Sequence, residues 1–459
     1  MLDPLIAIVL SYLETRELIP LCRSKTNYRT ITQKFIKEFE LNDSLKWIKE
    51  ADLKYLKGIN IINLNGCYQF EDDWLEYFQG VTTIDLTLCK ITDRGLKYLA
   101  GVHTINLDFC KQITDCGLEY LKGVHTINLV CCRQITDHGL EYLKGVYEIN
   151  LLACSEITNR GLEYLKGVQT INLSRCSKIT DRGLEYLRGV YEINLSYCLQ
   201  ITDDGLEYLK GVNKINLDSC SKITDRGLEY LGGVYEINLR DCYRITDNGM
   251  KYIKAVNTIN LHGCDITNCG LVYLKGVNKI NLGACRRITD DGLGYLKGVH
   301  SIDLDHCERI TDRGLEYLKG VHTIDLFGCD QITDRGLKYL KGVHTINLAH
   351  CRGITDRGIE HLKGVRTINL NFCKQITDCG LRYLEGIHVI NLSCCGGITD
   401  RGLEYLKGVH TIDLNNCDQI TDQGVKYLKG VKTIDLSNCY KITKRGLKYL
   451  RGAQIKKWK

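Results

Sequence analysis

Cysteine is the residue whose number and spacing most invite a chemical reading, with 24 in a chain of 459 residues. Eighteen of them form one series from Cys67 through Cys110, Cys198 and Cys285 to Cys439. Fifteen of its seventeen steps are 22 residues, and the two that follow Cys89 and Cys264 are 21. A metal site needs ligands converging on one point, typically as C-x-x-C pairs, and that spacing is absent. No metal and no cofactor is therefore expected. One thiol per period reads instead as a small buried apolar residue with a weak S–H donor, facing its neighbours up and down a stack. Adjacent thiols in such a stack lie within pairing distance, and a reducing compartment keeps them free.

Histidine and aspartate follow the same period. His103, His125, His300, His322, His344, His388 and His410 occur once per unit. Three in succession, His300, His322 and His344, have metal-binding chemistry, but one residue per unit describes a polar stripe along an edge. Asn106, Asn128, Asn150 and Asn172 recur at one position, with aspartate there at Asp85, Asp303, Asp325, Asp413 and Asp435. A carboxylate pair such as Asp303 and Asp325 is acid–base chemistry only inside a convergent pocket, and none is implied; the expectation is a solvated polar ladder. The chain has no P-loop, no G-x-S-x-G, no H-E-x-x-H and no paired C-x-x-C, so it does not read as an enzyme.

The elements that position these residues repeat with them. One unit, Val102 to Gly123, reads V-H-T-I-N-L-D-F-C-K-Q-I-T-D-C-G-L-E-Y-L-K-G. Ile105 and Leu107 alternate with Thr104 and Asn106, as in a half-buried strand. Thr114-Asp115 is a helix N-cap signal, and Leu118 and Leu121 line one face of a short helix, leaving Glu119 and Lys122 outside. Gly123 suits a helix stop, because glycine accepts the left-handed conformation. Strand, turn and helix in 22 residues bury nothing alone; stacked in register they do.

Composition narrows the class. The chain is 44% hydrophobic and 25% charged, and its prolines are Pro4 and Pro20. That combination excludes disordered polymers and a patchwork of proline-containing linkers. No apolar run approaches the roughly 18 residues of a membrane span, and Leu5–Leu10, preceded by Asp3, is too short for a secretory signal. A soluble chain is expected, in the cytoplasm or nucleus. Net charge is +6, but apart from the basic tail Arg451–Lys459 the body is almost neutral, which leaves no footprint for nucleic acid. Heavy use of Ile, Lys, Asn and Tyr hints at an AT-rich genome such as a parasite's or a large virus's, with the host cell as the compartment in the second case.

The unit resembles the leucine-rich repeat, specifically its cysteine-containing subfamily, through L-x-x-L-x-L-x-x-C-x-x-I-T-D-x-G-L with Val or Ile at the first two leucines. The resemblance covers about eighteen units over residues 59–452. It implies an α/β fold, a right-handed solenoid or horseshoe with a parallel sheet on the concave face and helices on the convex face. Constant positions within the unit are scaffold; the two residues before each cysteine vary. Beyond Phe78 every phenylalanine of the array, Phe109, Phe327 and Phe372, occupies that pair, where exposed aromatics and arginines favour protein contact. The target-binding candidates are thus Phe327, His350, Phe372, His306, Phe109, Arg175, Tyr197 and Arg240.

Residues 1–40 fall outside the period. Val9, Leu10, Tyr12, Leu13, Glu17, Leu18, Tyr28 and Arg29 align without a gap to a layout that resembles the F-box, with Tyr28 where that family usually has Trp, and Ser24 and Lys25 replacing an apolar pair. The resemblance implies a small helical head, followed by a linker and capping helix over 41–58, with Leu10, Leu13, Leu18 and Tyr28 docking a Skp-family adaptor of a cullin ligase complex. The whole would be the substrate receptor of an SCF-type ubiquitin ligase, holding an unknown protein target with no nucleic-acid or membrane partner. The same apolar spacing also suits a plain helical cap on a ubiquitin-independent scaffold. Residues 453–459 read as a solvated basic tail.

Overall fold

The structure is a computed structural model that describes residues 15–24, 28, 31, 38–40 and 50–457. It divides into two units, Met1–Ile223 and Thr224–Lys459. Each is a leucine-rich-repeat solenoid of three-residue parallel strands alternating with short helical turns.

In the first unit the strands run from Glu38–Glu40 through Ile61–Asn63, Thr83–Asp85 and Thr104–Asn106 to Lys214–Asn216, and in the second from Glu236–Asn238 to Gln454–Lys456. Pairing is parallel and in register, with isoleucine opposite isoleucine at Ile105 and Ile127 and again at Ile302 and Ile324. Alternation decides which way side chains point. Ile105 and Leu107 are buried, while Thr104 and Asn106 lie half-buried on the open face of the sheet. The helical part is one α-turn, Asp115–Leu118, followed by one 3₁₀ turn, Glu119–Leu121. Thr114 caps it by accepting from the Cys116 N–H at 3.3 Å, and Gly123 stops the segment with φ +85°. Seven residues are far too few for an independent helix, so stacking holds them.

Three ladders run from unit to unit. In the first, the Thr114 N–H and hydroxyl donate to the Asp93 carboxylate of the preceding unit at 2.8 and 2.6 Å. The glycine of D-x-G makes room for it: a Cβ on Gly117 would sit 2.4 Å from Asp93 Oδ1. Where asparagine replaces the aspartate, at Asn159, its Nδ2 donates to Thr180 Oγ1 at 2.8 Å, and that threonine no longer caps its own helix. The second ladder is the cysteines. Along the ladder a buried Sγ donates to a leucine carbonyl of the repeat before, as from Cys110 to Leu86 and from Cys198 to Leu173, both at 3.1 Å. None of the 24 thiols is in a disulfide. On the helix side, Lys122 pairs with Glu119 at 3.2 Å and lies 5.0 Å from the centre of the Tyr142 ring of the following unit. This arrangement recurs at Lys144, Lys166 and Lys319, and it accounts for the repeated E-Y-L-K-G.

The ends differ from the sequence expectation. The region expected to be a helical head contains the helix Thr15–Ser24 but also the strand Glu38–Glu40, which pairs with Ile61–Asn63. The turns Glu50–Leu53 and Lys54–Leu56 form the helical half of a repeat unit, with Leu53 and Leu56 buried. The helix Thr15–Ser24 is tied to it through Arg23, whose Nε donates to Asp52 Oδ1 at 2.7 Å. At the other end, Gln454–Lys456 is a strand in register with Thr433–Asp435, where a solvated tail was expected. The repeat period had already lapsed there, but the open sheet edge offers unpaired backbone groups that any extended segment can satisfy. Among the described residues, no helix is long and apolar enough to cross a membrane.

Candidate functional site

The open sheet face is built by four positions per repeat: the first and third strand residues and the pair ahead of the cysteine. The third strand residue closes the strand end. Asn106 Oδ1 accepts from the Asp108 N–H at 3.0 Å, Asp303 from Asp305 at 3.0 Å and Asp325 from Phe327 at 2.8 Å. A side chain that bonds the backbone two residues on explains why only Asn or Asp recurs here. The ladder is thus half-buried and structural, where a solvated stripe was expected.

The residue just before each cysteine is left-handed. Among the described residues fifteen non-glycine residues have positive φ, and all occupy this place, among them Phe109 at 58°, Arg175 at 61°, Tyr197 at 60°, His306 at 53°, His350 at 62° and Phe372 at 58°. Such a conformation costs roughly 1–2 kcal/mol for a residue with a Cβ. It is held by inter-unit backbone bonds such as Phe372 N–H to the Ser393 carbonyl at 3.0 Å. The scaffold therefore dictates the geometry of this position and leaves the side chain free to vary.

Four of the candidates form one row. The His306 and Phe327 ring centres are 5.0 Å apart edge to face, Phe327 and His350 are 5.1 Å apart edge to face, and His350 and Phe372 stack at 4.6 Å. Phe372 and His306 are exposed, and Phe327 and His350 are half-buried. Gly328 takes the left-handed place beside Phe327, where a Cβ would come within 2.9 Å of His306 Nδ1. In the first unit, the Arg175 guanidinium lies 4.7 Å from the centre of the exposed Tyr197 ring. Phe109 is 41% exposed, and Arg240, whose Nε lies 3.4 Å from Asp241, is exposed; neither joins the four-ring row.

Of the adaptor candidates, Leu10 and Leu13 lie outside the described residues. Tyr28 is half-buried. Leu18 is 1% exposed; apolar spacing on a short helix marks the face packed inward as readily as one offered to a partner.

The histidine stripe stacks along the N-terminal margin of the strands, His300 on His322 at 4.6 Å and His322 on His344 at 4.1 Å. Desolvation, then His344, His300 and Arg366, lower the His322 pKa. Among the described residues no group of three or more His, Cys, Asp or Glu is arranged to hold a metal.

The aspartates that recur at one sequence position meet in pairs in the second unit. Asp303 and Asp325 are register partners on adjacent strands, as are Asp413 and Asp435. Burial, with Asp325 and Asp305 nearby, pushes the Asp303 carboxyl up to about 6. Lys456 answers Asp435 at 2.9 Å. His262 lies between Asp241 and Asp305, 3.8 Å from each carboxylate, across the space left by Gly283. The repeat position of the aspartates was visible in the sequence; the His262 cluster was missed, because its partners come from different repeats and share no motif. The face from Ser301–Asp303 to Thr433–Asp435 borders an open groove of about 650 Å³ lined by Asp303, Thr323, Asp325, Thr345 and Asn347.

Comparison with known proteins agrees with this architecture. Residues 81–100, 299–319, 321–341, 387–407 and 409–429 match the model of the Leucine Rich repeat family. No curated protein matches the chain. Among solved structures, the mouse RP105/MD-1 complex is similar at 13% identity with a TM-score of 0.51, covering 93% of this chain and 83% of that one. A TLR13–ssRNA13 complex aligns at 15% identity and TM-score 0.45 over 80% of this chain, which spans only 54% of that one. The yeast Rad7 and Elc1 complex aligns at 14% identity and TM-score 0.39, covering 96% and 95%. At these identities the likeness is one of fold.

Proposed function

We propose that this chain is a target-holding protein, the substrate-recognition subunit of an SCF-type ubiquitin ligase, with its N-terminal region docking a Skp-family adaptor and its repeats holding the target. The row His306–Phe327–His350–Phe372 carries the binding part of this reading. Such rings on an open face are the aromatic anchors that dominate protein interfaces. Support for the ligase part is the F-box-like series from Val9 to Arg29 ahead of a cysteine-containing repeat array. The burial of Leu18 and the Arg23–Asp52 tie favour a second reading, in which the head is only a cap on a scaffold.

Capture with a recombinant Skp-family adaptor separates the two. The full chain is expected to bind, and Leu13→Asp to abolish capture without changing the unfolding transition of the repeats, because an unpaired buried charge costs several kcal/mol at an interface. Absence of capture by the parent chain leaves the cap reading.

The target surface has its own test. Phe327→Ala combined with Phe372→Ala is expected to weaken target capture, read by affinity purification and mass spectrometry, by about thirtyfold, while adaptor capture persists. Truncating Glu316 and Lys319, an exposed pair on the helix side, is expected to change little. The opposite pattern would move the target to the helix side.

A further inference from the structure

We propose that the sheet face of the second unit, from Ser301–Asp303 to Thr433–Asp435, takes an extended peptide rich in lysine and arginine, whose cations pair with Asp303, Asp325 and Asp413 and stack on Phe327 and Phe372. This deepens the target-holding reading and rests on it. Four observations support a basic partner.

The first is the distribution of charge. The third strand position carries aspartate at Asp303, Asp325, Asp413 and Asp435 in this unit, against Asp85 alone in the first. Asparagine performs the same backbone-capping bond, as Asn347 and Asn369 show. The scaffold therefore has no need of the extra negative charge.

The second is that the charge is uncompensated. Asp303 accepts from Asn281 Nδ2 at 2.8 Å and Asp325 from Asn347 Nδ2 at 3.0 Å, and no lysine or arginine among the described residues pairs with either. Burial and the in-register Asp325 raise the proton affinity of Asp303, and a cation beside it relieves that.

The third is a worked example within the chain. Lys456, the register partner of Asp435 on the adjacent strand, pairs with it at 2.9 Å. One carboxylate of the ladder thus already holds a lysine on the open face.

The fourth is the row of rings. The Phe327 N–H bonds to Asp325, so the aromatic row runs along the margin of the carboxylate row. An arginine or lysine there meets a carboxylate and a ring face together, an arrangement that desolvation strengthens. The same carboxylates repel the phosphates of a nucleic acid.

Geometry sets the spacing. The strands carrying Asp325 and Asp413 are four steps apart, about 19 Å at 4.8 Å per strand, or about six residues of extended chain. Arg366 and Lys432, exposed on the opposite margin, make the groove charged in opposite senses across its width, which gives the peptide a preferred side for its cations.

The test uses the full chain and fluorescent nonapeptides: one with two arginine pairs about six residues apart, one with glutamates in their place, and one neutral and apolar. Anisotropy is expected to show binding of the basic peptide alone. Asp303→Asn with Asp325→Asn, which keeps the capping bonds, is expected to weaken it at least about tenfold, as is Phe327→Ala with Phe372→Ala. Asp85→Asn in the first unit is expected to leave it unchanged. Binding of the neutral or acidic peptide that the Phe variant abolishes would overturn the charge assignment and keep the face as the target surface. Basic-peptide binding indifferent to both double variants would overturn both, and failure of all three peptides would overturn the charge assignment.

Discussion

Gly336→Ala is expected to destabilise the second unit by about 3 kcal/mol, read as a shift of the denaturant midpoint. A Cβ there would stand 2.5 Å from Asp312 Oδ1 and 2.9 Å from Leu315 Cδ1. The carboxylate cannot withdraw without breaking its bonds from the Thr333 N–H and hydroxyl, at 2.8 and 2.6 Å. Overpacking a tight contact typically costs about 1–3 kcal/mol, and each lost bond to a charged group adds about 1.5–3, with partial relaxation offsetting some of the sum. Arg335→Ala, one residue upstream and exposed, is expected to cost less than about 0.5 kcal/mol. The mechanism has a sharper check in a double-mutant cycle: on an Asp312→Ala background, where the carboxylate is gone, Gly336→Ala should cost much less. Additive costs would show that glycine serves some purpose other than making room for aspartate.

The second large effect is in thiol reactivity. Burial pushes Cys198 from the ordinary 9.0 up to about 12, and Cys154, Cys285, Cys329 and Cys373 likewise. A thiol held at about 12 has a thiolate fraction at pH 8 about a thousandfold below the ordinary one, before burial blocks access further. Pulse alkylation followed by mass spectrometry is expected to label the exposed Cys116, Cys269 and Cys379 quickly and to leave the ladder unlabelled until denaturant is added. Rapid labelling of Cys198 in the native chain would contradict the ladder as drawn. Linkage gives a pH dependence as well. Because the folded thiols hold their protons more tightly than unfolded ones, their contribution is full below pH 9 and declines as pH rises from about 9 towards about 12. Alkaline unfolding is therefore expected to be steeper than for a chain with Cys198→Ala and Cys329→Ala.

The sequence by itself determined the repeating unit. Period, strand, cap and stop were all legible because each is a local rule: alternation at Ile105 and Leu107, a side-chain cap at Thr114, a left-handed stop at Gly123. The contiguity of Phe327, His350 and Phe372 was also legible, since residues one period apart must be neighbours in a stack. What stayed hidden were bonds whose two partners belong to different units. The sequence shows T-D-x-G as a capping signal, but only stacking brings the aspartate of one unit beneath the threonine and glycine of the next. Cysteine read as a small apolar filler, and only the tertiary structure gave its S–H a carbonyl to meet. The ends were least legible, because they have no neighbouring copy to be compared with. Leu18 is buried, and Gln454–Lys456 became a strand because the open edge of the sheet, rather than any propensity of Gln-Ile-Lys, supplied its partners.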